Sequence, residues 1–463
     1  MLSKEIRKIH CIGVGGIGVS GIAEFLLNKG YEVSGSDKSD SKITQHLREI
    51  GVQVYSNHAA EHVVNADLIV YSSAIHPDNP EIVAAKAAGI PLLQRAEMLA
   101  ELMRDFKGIA VSGTHGKTTT TSLIAAVLLE ANLDPSFMIG GHINNRTSPM
   151  YLGQGEYFVA EADESDASFL LLNPEIAVVN NIEVDHMETY GGDFAQLKNS
   201  FLRFLERLPK TGFAILGTDD SAVCELIPKL KCAYATFGFN SDAQYRATHF
   251  KALGLHSEFV VTRPKRSDLK VVLNIPGRHN VLNALAAIAV ADHVGVPDEL
   301  LLKALAHFSG VGRRFHARGE LKLPQGSALI IDDYGHHPGA IAVTLDAARS
   351  IWPERRIVLA FQPHRYSRTQ DLVNEFAVEI SKADLVICLE IYSAGEAPIP
   401  GVTGKMLADT VTKLGQLTPI FVPQLDQLPE TLQEVLHDQD ILILQGAGDI
   451  GLMALQLSQD ESL

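Results

Sequence analysis

The sequence is poor in cysteine and in positive charge. Its four cysteines are scattered among 463 residues with no C-x-x-C pair, so neither a disulfide framework nor a structural zinc site is predicted. Lysine and arginine number 39 against 55 aspartates and glutamates, for a net charge of −16. Because sequence-independent nucleic-acid binding depends on neutralising phosphates, this balance predicts no nucleic-acid partner.

Long apolar runs and a charged-then-apolar leader are also missing. No apolar run is long enough to cross a bilayer, and the polar residues 1–8 lead directly into a predicted strand. These absences predict a cytoplasmic protein without membrane insertion, and we expect a monomer or a weak homodimer. The length of 463 residues indicates about three domains.

What is present is organised around one stretch, GTHGKTTTT, at residues 113–121. The apolar run 109–111 before it predicts a short strand, and residues 122–129 after it have the apolar spacing of a helix. A glycine loop between a strand and a helix is typical of phosphate-binding sites, because its backbone N–H groups and the helix N-terminus face the anion. The stretch therefore predicts a nucleotide phosphate site.

Two side chains of this stretch carry the chemistry. Lys117 is placed to reach the β- and γ-phosphates, and the Thr118 hydroxyl is placed to ligate Mg²⁺. The spacing G-x-x-G-K-T is shorter than the full phosphate-loop pattern, because Val111 stands where the first glycine belongs. The alternative interpretation is a Gly/Thr-rich turn with a solvated lysine, but the flanking strand and helix favour the phosphate loop.

Another glycine loop, the first along the chain, lies near its start. Gly13, Gly15 and Gly18 have the G-x-G-x-x-G spacing after a predicted strand, and Asp37 follows the next strand. This is the dinucleotide fingerprint, in which the acidic residue reaches a ribose or a base. Taken alone it predicts NAD binding. The alternative is that the glycines only allow tight packing of a helix on a strand.

A further predicted strand, residues 68–71, ends on Ser72 and Ser73. The carboxyl ends of parallel strands are where open α/β sheets bind ligands. We interpret residues 1–105 as one small Rossmann-like domain with its site at this edge.

Polar side chains also follow two strands of the central region. One strand ends on Glu161, the first residue of EADESD, and another leads through NNIEVDH to His186. We expect at least one oxygen ligand for the metal of the phosphate loop in the first group. Several strand ends converge on one edge of the sheet, which favours a site at the segment that ends in His186. The alternatives are a solvated acidic loop and a structural histidine.

The stretch PGRHNVLNALAAIAVA, residues 276–291, predicts a helix with one apolar face. His279, Asn280 and Asn283 lie within one turn at its start, where an amide can both donate to and accept from an adenine edge. N-capping by Asn280 is an alternative role, compatible with the first. Residues 210–266 are polar and rich in β-type sequence, and their fold is not assigned.

The last third predicts another α/β unit after the GVGRR turn at residues 310–314. Its apolar strands end on polar residues and alternate with helical segments, which is typical of a parallel, doubly wound sheet. His364, Arg365 and Arg368 cluster at one such strand end. Arginine is suited to bidentate recognition of a carboxylate. The alternative is a surface cluster that serves solubility.

Eight motifs, taken in order over essentially the whole chain, resemble the Mur ligases of bacterial cell-wall synthesis. They are GVGGIGVSGIA, GTHGKTTTT, EADESDASF, NNIEVDH, PGRHNVLNALAA, GRRF, DDYGHHP and FQPHRYSR. The resemblance implies an α/β fold of three domains: a Rossmann-like UDP-sugar domain at 1–105, a central P-loop ATPase domain at 106–312, and a C-terminal Rossmann-like, doubly wound domain at 313–463 for the amino acid. It also replaces the NAD interpretation, because the first glycine loop would hold the diphosphate of UDP-N-acetylmuramate.

The resemblance further implies roles for individual residues. ATP would be held by Gly113, Thr114, His115, Gly116, Lys117, Thr118, Thr119, His279, Asn280, Asn283, Arg314 and Asp333. One Mg²⁺ ion would be held by Thr118 and Glu161, and a second by His186. The UDP-sugar would be held by Gly15, Gly16, Ile17, Gly18, Asp37, Ser72 and Ser73, with His142 and Asn145 near the muramyl group. The amino acid would be held by Tyr334, His336, His364, Arg365 and Arg368. The catalytic residues implied are Lys117, His186, Arg314, Asp333, His336 and His364.

Within the family, EADESDASF and FQPHRYSR favour the branch that joins L-alanine to UDP-N-acetylmuramate. The reaction implied is an ATP-dependent ligation through an acyl phosphate, and no carbamylated lysine is proposed. Three alternatives stay open: a ligase that recycles a tripeptide onto the same nucleotide sugar, an NAD-dependent dehydrogenase, and a nucleotide-gated scaffold without turnover.

Overall fold

The computed structural model describes residues 5–72, 74–140, 150–415 and 417–459. Contacts divide the chain into two compact units, formed by residues 1–250, 258–274 and 280–309 and by residues 251–257, 275–279 and 310–463. Three sheets of five, ten and six strands carry the fold. The predicted boundaries after residues 105 and 312 stay predictions. No helix within the described ranges is long and apolar enough to cross a membrane.

The first sheet is parallel throughout. Its strands are β1 (Lys8–Ile12), β2 (Glu32–Ser36), β3 (Gln53–Tyr55), β4 (Leu68–Tyr71) and β5 (Leu92–Gln94), and its helices are α1 (Ile17–Asn28), α2 (Lys42–Glu49), α3 (Pro80–Ala88) and α4 (Arg95–Met103). The strand order is β3-β2-β1-β4-β5. The order reverses beside β1, so the glycine loop after β1 lies at the switch point where open α/β sheets bind ligands.

The second sheet has ten strands in the order β15-β14-β13-β12-β11-β10-β6-β9-β7-β8. The strands are β6 (Lys107–Ser112), β7 (Ser136–Met138), β8 (Met150–Tyr151), β9 (Tyr157–Glu161), β10 (Ile176–Val179), β11 (Phe213–Gly217), β12 (Ala233–Gly238), β13 (Tyr245–Leu253), β14 (His256–Arg263) and β15 (Arg266–Leu273). The helices are α5 (Lys117–Glu130), α6 (Phe194–Leu205), α7 (Ser221–Leu226), α8 (Arg278–Val294) and α9 (Asp298–His307). The segment 210–266, which the sequence left unassigned, thus supplies strands at one side of this sheet.

One continuous core joins the first sheet to the central domain. The ring of Phe25 on α1 lies 5.7 Å from the ring of Phe158 on β9, and the ring of Phe106 lies 5.5 Å from the same Phe158. Met98 of α4 belongs to the same buried cluster as Phe169 of the central domain. The first sheet and the central domain share this hydrophobic cluster, so the stability of both depends on the same buried surface.

The third sheet has six strands in the order β16-β17-β21-β18-β19-β20. The strands are β16 (His316–Leu323), β17 (Gly326–Asp333), β18 (Ile357–Phe361), β19 (Leu385–Leu389), β20 (Ile420–Val422) and β21 (Ile441–Gln445). The helices are α10 (Pro338–Ile351), α11 (Tyr366–Asp371), α12 (Val373–Ile380), α13 (Gly404–Lys413), α14 (Leu428–Val435) and α15 (Ile450–Gln459). Buried clusters cover both faces of this sheet, as a parallel sheet requires.

The prediction of a parallel third sheet is wrong at one edge. β16 pairs antiparallel with β17, and Leu323 lies opposite Gly326 at the turn. A connection this short allows only antiparallel pairing, because a parallel pair needs a crossover of about a dozen residues or more. The remaining pairs of this sheet, from β17 to β20, are parallel as predicted.

Candidate active site

The phosphate-loop stretch forms the turn between β6 and α5, as the sequence predicts. Gly113 has φ +134° and Gly116 has φ +82°, a region that favours glycine. A Cβ on Gly116 would lie 2.4 Å from Asn283 Oδ1, so this position has no room for a side chain. Because α5 begins at Lys117, the first backbone N–H groups of that helix are left for a ligand at the loop.

Lys117 is held inside this turn. Its Nζ donates to the carbonyl oxygen of Gly113 at 2.6 Å and to Glu164 Oε1 at 2.7 Å. Burial acts to lower the pKa of Lys117, but the charges of Glu164 and Asp163 outweigh burial and raise that pKa. The lysine is therefore a cation at neutral pH, as stabilisation of phosphate charge requires.

Glu164 is the partner that sequence reasoning placed only within an acidic stretch. Its side chain is 3 % exposed, and burial raises its pKa although Lys117 opposes this. The Tyr190 hydroxyl donates to the backbone carbonyl of Glu164. Glu164 Oε2 is buried and has no hydrogen-bond partner among the described residues. An orphaned carboxylate oxygen beside a phosphate loop fits a site that is completed by a cation and its ligands.

The predicted Mg²⁺ ligands Thr118 and Glu161 are brought together. Thr118 Oγ1 donates to Glu161 Oε2 at 3.1 Å, and Glu161 Oε1 accepts from the Gly140 N–H at 2.6 Å. Across the described ranges, no three or more His, Cys, Asp or Glu side chains are grouped so that they could hold a metal ion. Mg²⁺ is usually held by one or two protein oxygens together with waters and substrate phosphates, so a hydroxyl and one carboxylate fit this ion.

Three asparagines fasten the phosphate loop, and sequence reasoning gave no role to two of them. Asn180 Nδ2 donates to the His115 carbonyl at 3.2 Å and to Thr120 Oγ1 at 3.1 Å. Asn181 Oδ1 accepts from the His115 N–H at 2.8 Å. Asn283, predicted near the adenine, accepts from Thr120 Oγ1 at 3.1 Å and so lies behind the loop. The sequence feature that could have predicted this role is the pair of asparagines directly after a buried strand.

His186 lies in the turn that follows β10, with φ +54°. Its Nε2 is 3.4 Å from Asp185 Oδ2. The Glu183 N–H donates to Thr114 Oγ1 at 2.8 Å, so the segment that carries His186 is fastened to the phosphate loop. The role of His186 as a second metal ligand stays a prediction.

The start of α8 corrects one predicted alternative. The helix begins at Arg278, so Asn280 is its third residue and is not the N-cap, which precedes the first helical residue. Asn283 Nδ2 donates to Asn280 Oδ1 at 3.1 Å. His279 folds back over Gly277, where a Cβ would lie 2.6 Å from its ring. These side chains share the first turns of α8, and their contact with adenine stays a prediction.

The first glycine loop is fastened to the end of β2. The N–H groups of Gly13 and Val14 donate to the Ser36 carbonyl at 2.8 and 3.1 Å. The Gly15 N–H donates to Asp37 Oδ2 at 2.8 Å, and a Cβ on Gly15 would lie 2.8 Å from the same carboxylate. Asp37 therefore shapes the loop itself, a role that the fingerprint does not reveal.

The other predicted residues of this loop lie around the start of α1. The Gly16 N–H donates to the Gly13 carbonyl at 3.1 Å, and Ile17, 48 % exposed, opens the helix. Ser72 follows β4, and its carbonyl accepts from the Ile75 N–H at 3.0 Å. Three predicted residues lie outside the described ranges: Ser73, His142 and Asn145.

Arg95 lies beside this loop, and sequence reasoning missed it. It is the first residue of α4, and its side chain lies over Gly18, where a Cβ would be 2.6 Å from Arg95 Cδ. Arg95 is half-buried and brings a cation to the glycine loop. The available signal was a basic residue directly after β5, at the same edge of the sheet as the loop.

In the third sheet, Asp333 is the buried end of β17. Its Oδ2 accepts from the Phe315 N–H at 2.8 Å, and its Oδ1 accepts from Gln445 Nε2 at 3.1 Å. The guanidinium carbon of Arg314 lies 5.1 Å from the ring centre of Tyr334, within cation–π range. The predicted residues Arg314, Asp333 and Tyr334 are thus neighbours at one strand end.

In GVGRR, Arg313 rather than Arg314 connects the turn to neighbouring segments of the third sheet. Arg313 Nη2 donates to the Gly446 carbonyl at 2.6 Å, and its Nε lies 3.4 Å from Asp332 Oδ1. A Cβ on Gly451 would lie 2.2 Å from the guanidinium carbon of Arg313. Two adjacent arginines look alike in sequence, so only the fold separates the residue that braces the turn from the one at the strand end.

Four of the five residues predicted to hold the amino acid lie together. The rings of His336 and His364 are 5.3 Å apart, and the rings of Tyr334 and His336 are 5.4 Å apart. Arg368 Nη1 lies 3.3 Å from His364 Nδ1. Arg365, the fifth, is exposed and precedes α11 with φ +72°. The binding role of this group stays a prediction.

Both histidines are neutral at neutral pH. Burial and then Arg368 lower the pKa of His336 to about 3, and burial, Arg368 and Arg365 lower the pKa of His364 to about 4. The Tyr334 carbonyl, 3.2 Å from His336 Nδ1, can only accept, so this nitrogen carries the proton and Nε2 offers a lone pair. Arg368 can only donate, so His364 Nδ1 accepts and its Nε2 carries the proton.

These pKa values predict that acid weakens the fold. The unfolded chain binds protons at His336 and His364 below pH 6.5, whereas the folded chain does so only near pH 3 to 4. The stability due to the neutral histidines is therefore complete above about pH 6.5 and is lost as pH falls, by at most about 1.4 kcal/mol per pH unit for each histidine. Urea unfolding between pH 7.5 and 5 should show a shallower dependence for His336→Asn. The exposed His249→Asn is the matched control and should keep the wild-type dependence; equal slopes for all three proteins would contradict the prediction.

Comparison with known proteins covers almost the whole chain. Residues 8–107 match the family model "Mur ligase family, catalytic domain", residues 111–291 match "Mur ligase middle domain", and residues 313–448 match "Mur ligase, glutamate ligase domain". A curated relative, UDP-N-acetylmuramate–L-alanine ligase of Coxiella burnetii, is 52 % identical over 457 residues, or 98 % of each chain.

Solved structures agree with this result. The UDP-N-acetylmuramate-alanine ligase MurC of Thermotoga maritima is 31 % identical with a TM-score of 0.82, covering 97 % of this chain and 98 % of that one. A murein peptide ligase of Psychrobacter arcticus, 24 % identical with a TM-score of 0.71 over 99 % and 100 % of the two chains, shares the fold. The implied organisation of three α/β domains is confirmed, and the NAD interpretation of the first loop has no support. The chain belongs to the Mur ligase family.

Proposed function

We propose that this protein joins L-alanine to the lactyl carboxylate of UDP-N-acetylmuramate, with ATP converted to ADP and phosphate. The observation that carries the proposal is the 52 % identity, over 98 % of both chains, to a ligase named for that reaction. The phosphate loop of the central domain supplies the ATP site that such a reaction needs. The product is a precursor of the bacterial cell wall.

The carboxylate must be activated, because it does not react with an amine at neutral pH. A lactyl carboxylate oxygen attacks the γ-phosphorus of ATP, ADP leaves, and an acyl phosphate forms. The amine of alanine then attacks the acyl carbon, phosphate leaves from the tetrahedral intermediate, and the amine gives up its proton. The first step brings two anions together, and Lys117, held at the phosphate loop by Gly113 and Glu164, offsets their repulsion.

Magnesium is part of the proposal, with two ions as the expected number. Thr118 and Glu161, joined at 3.1 Å, would hold one ion, and His186 would hold the second. When bound, these ions supply positive charge to the phosphate oxygens. The protein's own part is to keep the hydroxyl and the carboxylate together at the start of α5 and to keep His186 fastened to the loop through Glu183.

Removing these ligands should raise the magnesium requirement. We expect Glu161→Ala and His186→Ala to lower the rate of acyl-phosphate formation at limiting Mg²⁺, with partial recovery of His186→Ala at high Mg²⁺. The measurement is phosphate release across a Mg²⁺ titration. Glu156→Ala, which changes an exposed carboxylate near the start of β9, is the matched control. A His186→Ala enzyme with the wild-type Mg²⁺ dependence would make the histidine structural.

The first glycine loop is proposed to hold the diphosphate of the nucleotide sugar. Backbone N–H groups at the start of α1 suit an anion, and the half-buried Arg95 over Gly18 adds a positive charge. Asp37 keeps the loop in place through Gly15. The assignment of Ile17, Ser72, Ser73, His142 and Asn145 to the same ligand is part of this proposal.

The third sheet is proposed to hold alanine. Arg368 would pair with the carboxylate of alanine, and Arg365, Tyr334 and His364 would line the pocket. His336 Nε2, which offers a lone pair, would accept a hydrogen bond from the amine and orient it for attack. Because the pKa of His336 is about 3, this nitrogen orients the amine without keeping its proton, which leaves to solvent.

One assay tests the proposed function. Phosphate release should require UDP-N-acetylmuramate, ATP and L-alanine together, and mass spectrometry should detect the alanyl product. NAD should neither bind nor replace any substrate. Faster joining of the L-Ala-γ-D-Glu-meso-diaminopimelate tripeptide would support the recycling ligase instead, and phosphate release without an acceptor would contradict ligation. A cytoplasmic location, where ATP and nucleotide sugars are available, and a monomer or weak homodimer complete the proposal.

A further inference from the structure

A buried carboxylate surrounded by histidines lies behind the first glycine loop. Glu81, in the first turn of α3, and His10, on β1, are fully buried, and the side chains of His58 and His62 are 9 % exposed. Glu81 Oε1 lies 2.8 Å from His62 Nδ1 and 3.4 Å from His10 Nε2, and Oε2 lies 3.0 Å from His58 Nδ1. Ser36 Oγ donates to Glu81 Oε2 at 2.6 Å. We call these five residues the Glu81 cluster.

The Glu81 cluster keeps a negative charge away from water. Burial acts to raise the pKa of Glu81, but the neighbouring His10, Ser36 and His62 side chains outweigh burial and lower that pKa to about 2. The N-terminus of α3 also favours an anion. In the described part of the chain, no lysine or arginine forms an ion pair with Glu81. A buried charge is costly unless it is fully hydrogen-bonded, so packing alone does not explain it.

The arrangement is not that of a metal site. The nearest atoms of the three histidines and the serine lie 2.6 to 3.4 Å from the two oxygens of Glu81, at hydrogen-bond and ion-pair distances. Within the described residues, no three or more His, Cys, Asp or Glu side chains form a group that could hold a metal ion. The cluster therefore acts through hydrogen bonds to Ser36 and its neighbours.

Ser36 connects the Glu81 cluster to the glycine loop. The side chain of Ser36 is held by Glu81, and its carbonyl accepts from the N–H groups of Gly13 and Val14 at 2.8 and 3.1 Å. The next residue, Asp37, accepts from the Gly15 N–H at 2.8 Å. A change in the position of Ser36 therefore moves the acceptors of three consecutive loop amides.

A second contact fixes the same strand end. The rings of His62 and Tyr55 are stacked with centroids 3.8 Å apart, and the Tyr55 carbonyl accepts from the Asp37 N–H at 3.0 Å. The oxygens of Ser36 and Asp37 hold the loop. Ser36 belongs to the Glu81 cluster, and Asp37 is linked to the cluster by its hydrogen bond to Tyr55, which stacks on His62.

We propose that Glu81 is a positioning residue for the first glycine loop: through Ser36 it holds the loop in place, and with it the backbone N–H groups at the start of α1 that receive the diphosphate of UDP-N-acetylmuramate. This inference rests on the proposed assignment of the loop to the nucleotide sugar. Glu81 does not touch the ligand. It acts by keeping the loop in its binding conformation before the ligand arrives, which lowers the cost of binding.

The test is a double-mutant cycle on the full-length enzyme with Glu81→Gln and Ser36→Ala. Ser36→Ala removes the hydrogen bond at its donor end, and Glu81→Gln replaces the charged acceptor with a neutral amide of the same shape. We expect each to raise the KM for UDP-N-acetylmuramate about tenfold, the cost typical of a hydrogen bond to a charged group. The rate at saturating UDP-N-acetylmuramate and the KM values for ATP and alanine should stay unchanged. The double variant should be no worse than the more impaired single variant, because both act on one contact.

Thr44→Val is the matched control. Thr44 is fully buried in the same domain and caps α2 through Ser41, so its loss weakens the domain without touching Ser36 or Glu81. We expect its KM for UDP-N-acetylmuramate to equal that of the wild type. If Glu81→Gln does not fold, Ser36→Ala alone decides: a tenfold rise in that KM supports the proposal, and a wild-type value overturns it.

Other outcomes also decide the question. Folded variants with an unchanged KM for UDP-N-acetylmuramate overturn the inference while the wild-type enzyme still ligates alanine, so the proposed function survives. Additive effects in the cycle, or equal losses for all three substrates, also overturn it, because they indicate independent or general damage. A wild-type enzyme that ignores UDP-N-acetylmuramate would instead overturn the proposed function.

Discussion

Lys117→Ala should lower kcat by on the order of 10²–10³, the usual cost of removing one group that stabilises charge in the transition state. Lys117 Nζ lies at the phosphate loop with a raised pKa, paired with the buried Glu164 at 2.7 Å. Its loss removes the positive charge that offsets the approach of carboxylate to γ-phosphate. Single-turnover phosphate release, with the fold checked by circular dichroism, measures this effect.

The buried pair calls for its own control, because Lys117→Ala also leaves Glu164 without a cation. An unpaired buried charge is strongly destabilising, and lost stability can imitate lost catalysis. The double variant Lys117→Ala, Glu164→Gln removes that charge, and we expect it to regain stability without regaining activity. Lys107→Ala, which changes an exposed lysine at the start of β6, the strand before the phosphate loop, should stay close to wild type. Near-normal ligation by a folded Lys117→Ala protein would refute the assignment.

Acceptor choice is expected to show the second large effect. A pocket sized for a methyl group should exclude large amino acids and the tripeptide by overlap. Its discrimination against glycine and serine should be weaker, because one methylene is worth only about 1–3 kcal/mol, or roughly 10–200-fold. A competition assay with alanine, glycine, serine and the tripeptide measures the order. If the tripeptide is joined faster than alanine, the proposed substrate is wrong although the ligase mechanism stands.

A single substitution tests the part of the same pocket that is proposed to bind the carboxylate of alanine. Arg368→Lys should raise the KM for alanine roughly tenfold or more, because an ammonium cannot reproduce two parallel hydrogen bonds to a carboxylate. Lysine would also weaken the contact with His364 Nδ1, 3.3 Å from Arg368. Arg349→Lys, at an exposed ion pair with Asp384, is the matched control. An unchanged alanine KM in folded Arg368→Lys would exclude Arg368 as the carboxylate partner.

The sequence predicted the parts of the site that depend on local pattern. The glycine loops, the helices that follow them and the strand ends at Glu161 and Asp333 all lie where periodicity and turn chemistry put them. The antiparallel edge at β16 was missed because strand direction depends on the length of a connection, which polar strand ends do not report. The position of Asn280 inside α8 was missed because asparagine is a preferred N-cap residue, whereas the helix begins two residues earlier, at Arg278.

Partners that meet through tertiary folding could not be predicted from the sequence. Glu164 lies 47 residues from the lysine it pairs with, and Arg95 is brought over Gly18 by the packing of α4 against α1. The two arginines of GVGRR are equivalent in sequence, and only the turn at Arg313 gives them different tasks. Tautomers at His336 and His364 likewise depend on which group faces each ring nitrogen.

The core shared by the first sheet and the central domain has a consequence for cooperativity. Because Phe25 packs on Phe158 and Met98 shares a buried cluster with Phe169, ending the chain near residue 105 would expose apolar surface on both fragments. The unit formed by residues 1–250, 258–274 and 280–309 should then unfold in one transition, so a ligand on the first glycine loop also stabilises the central domain against unfolding. At 100 times its dissociation constant, such a ligand adds about 2.7 kcal/mol to the free energy of unfolding of this unit. The α5 helix and the phosphate loop are stabilised by the same amount, without any change in their geometry.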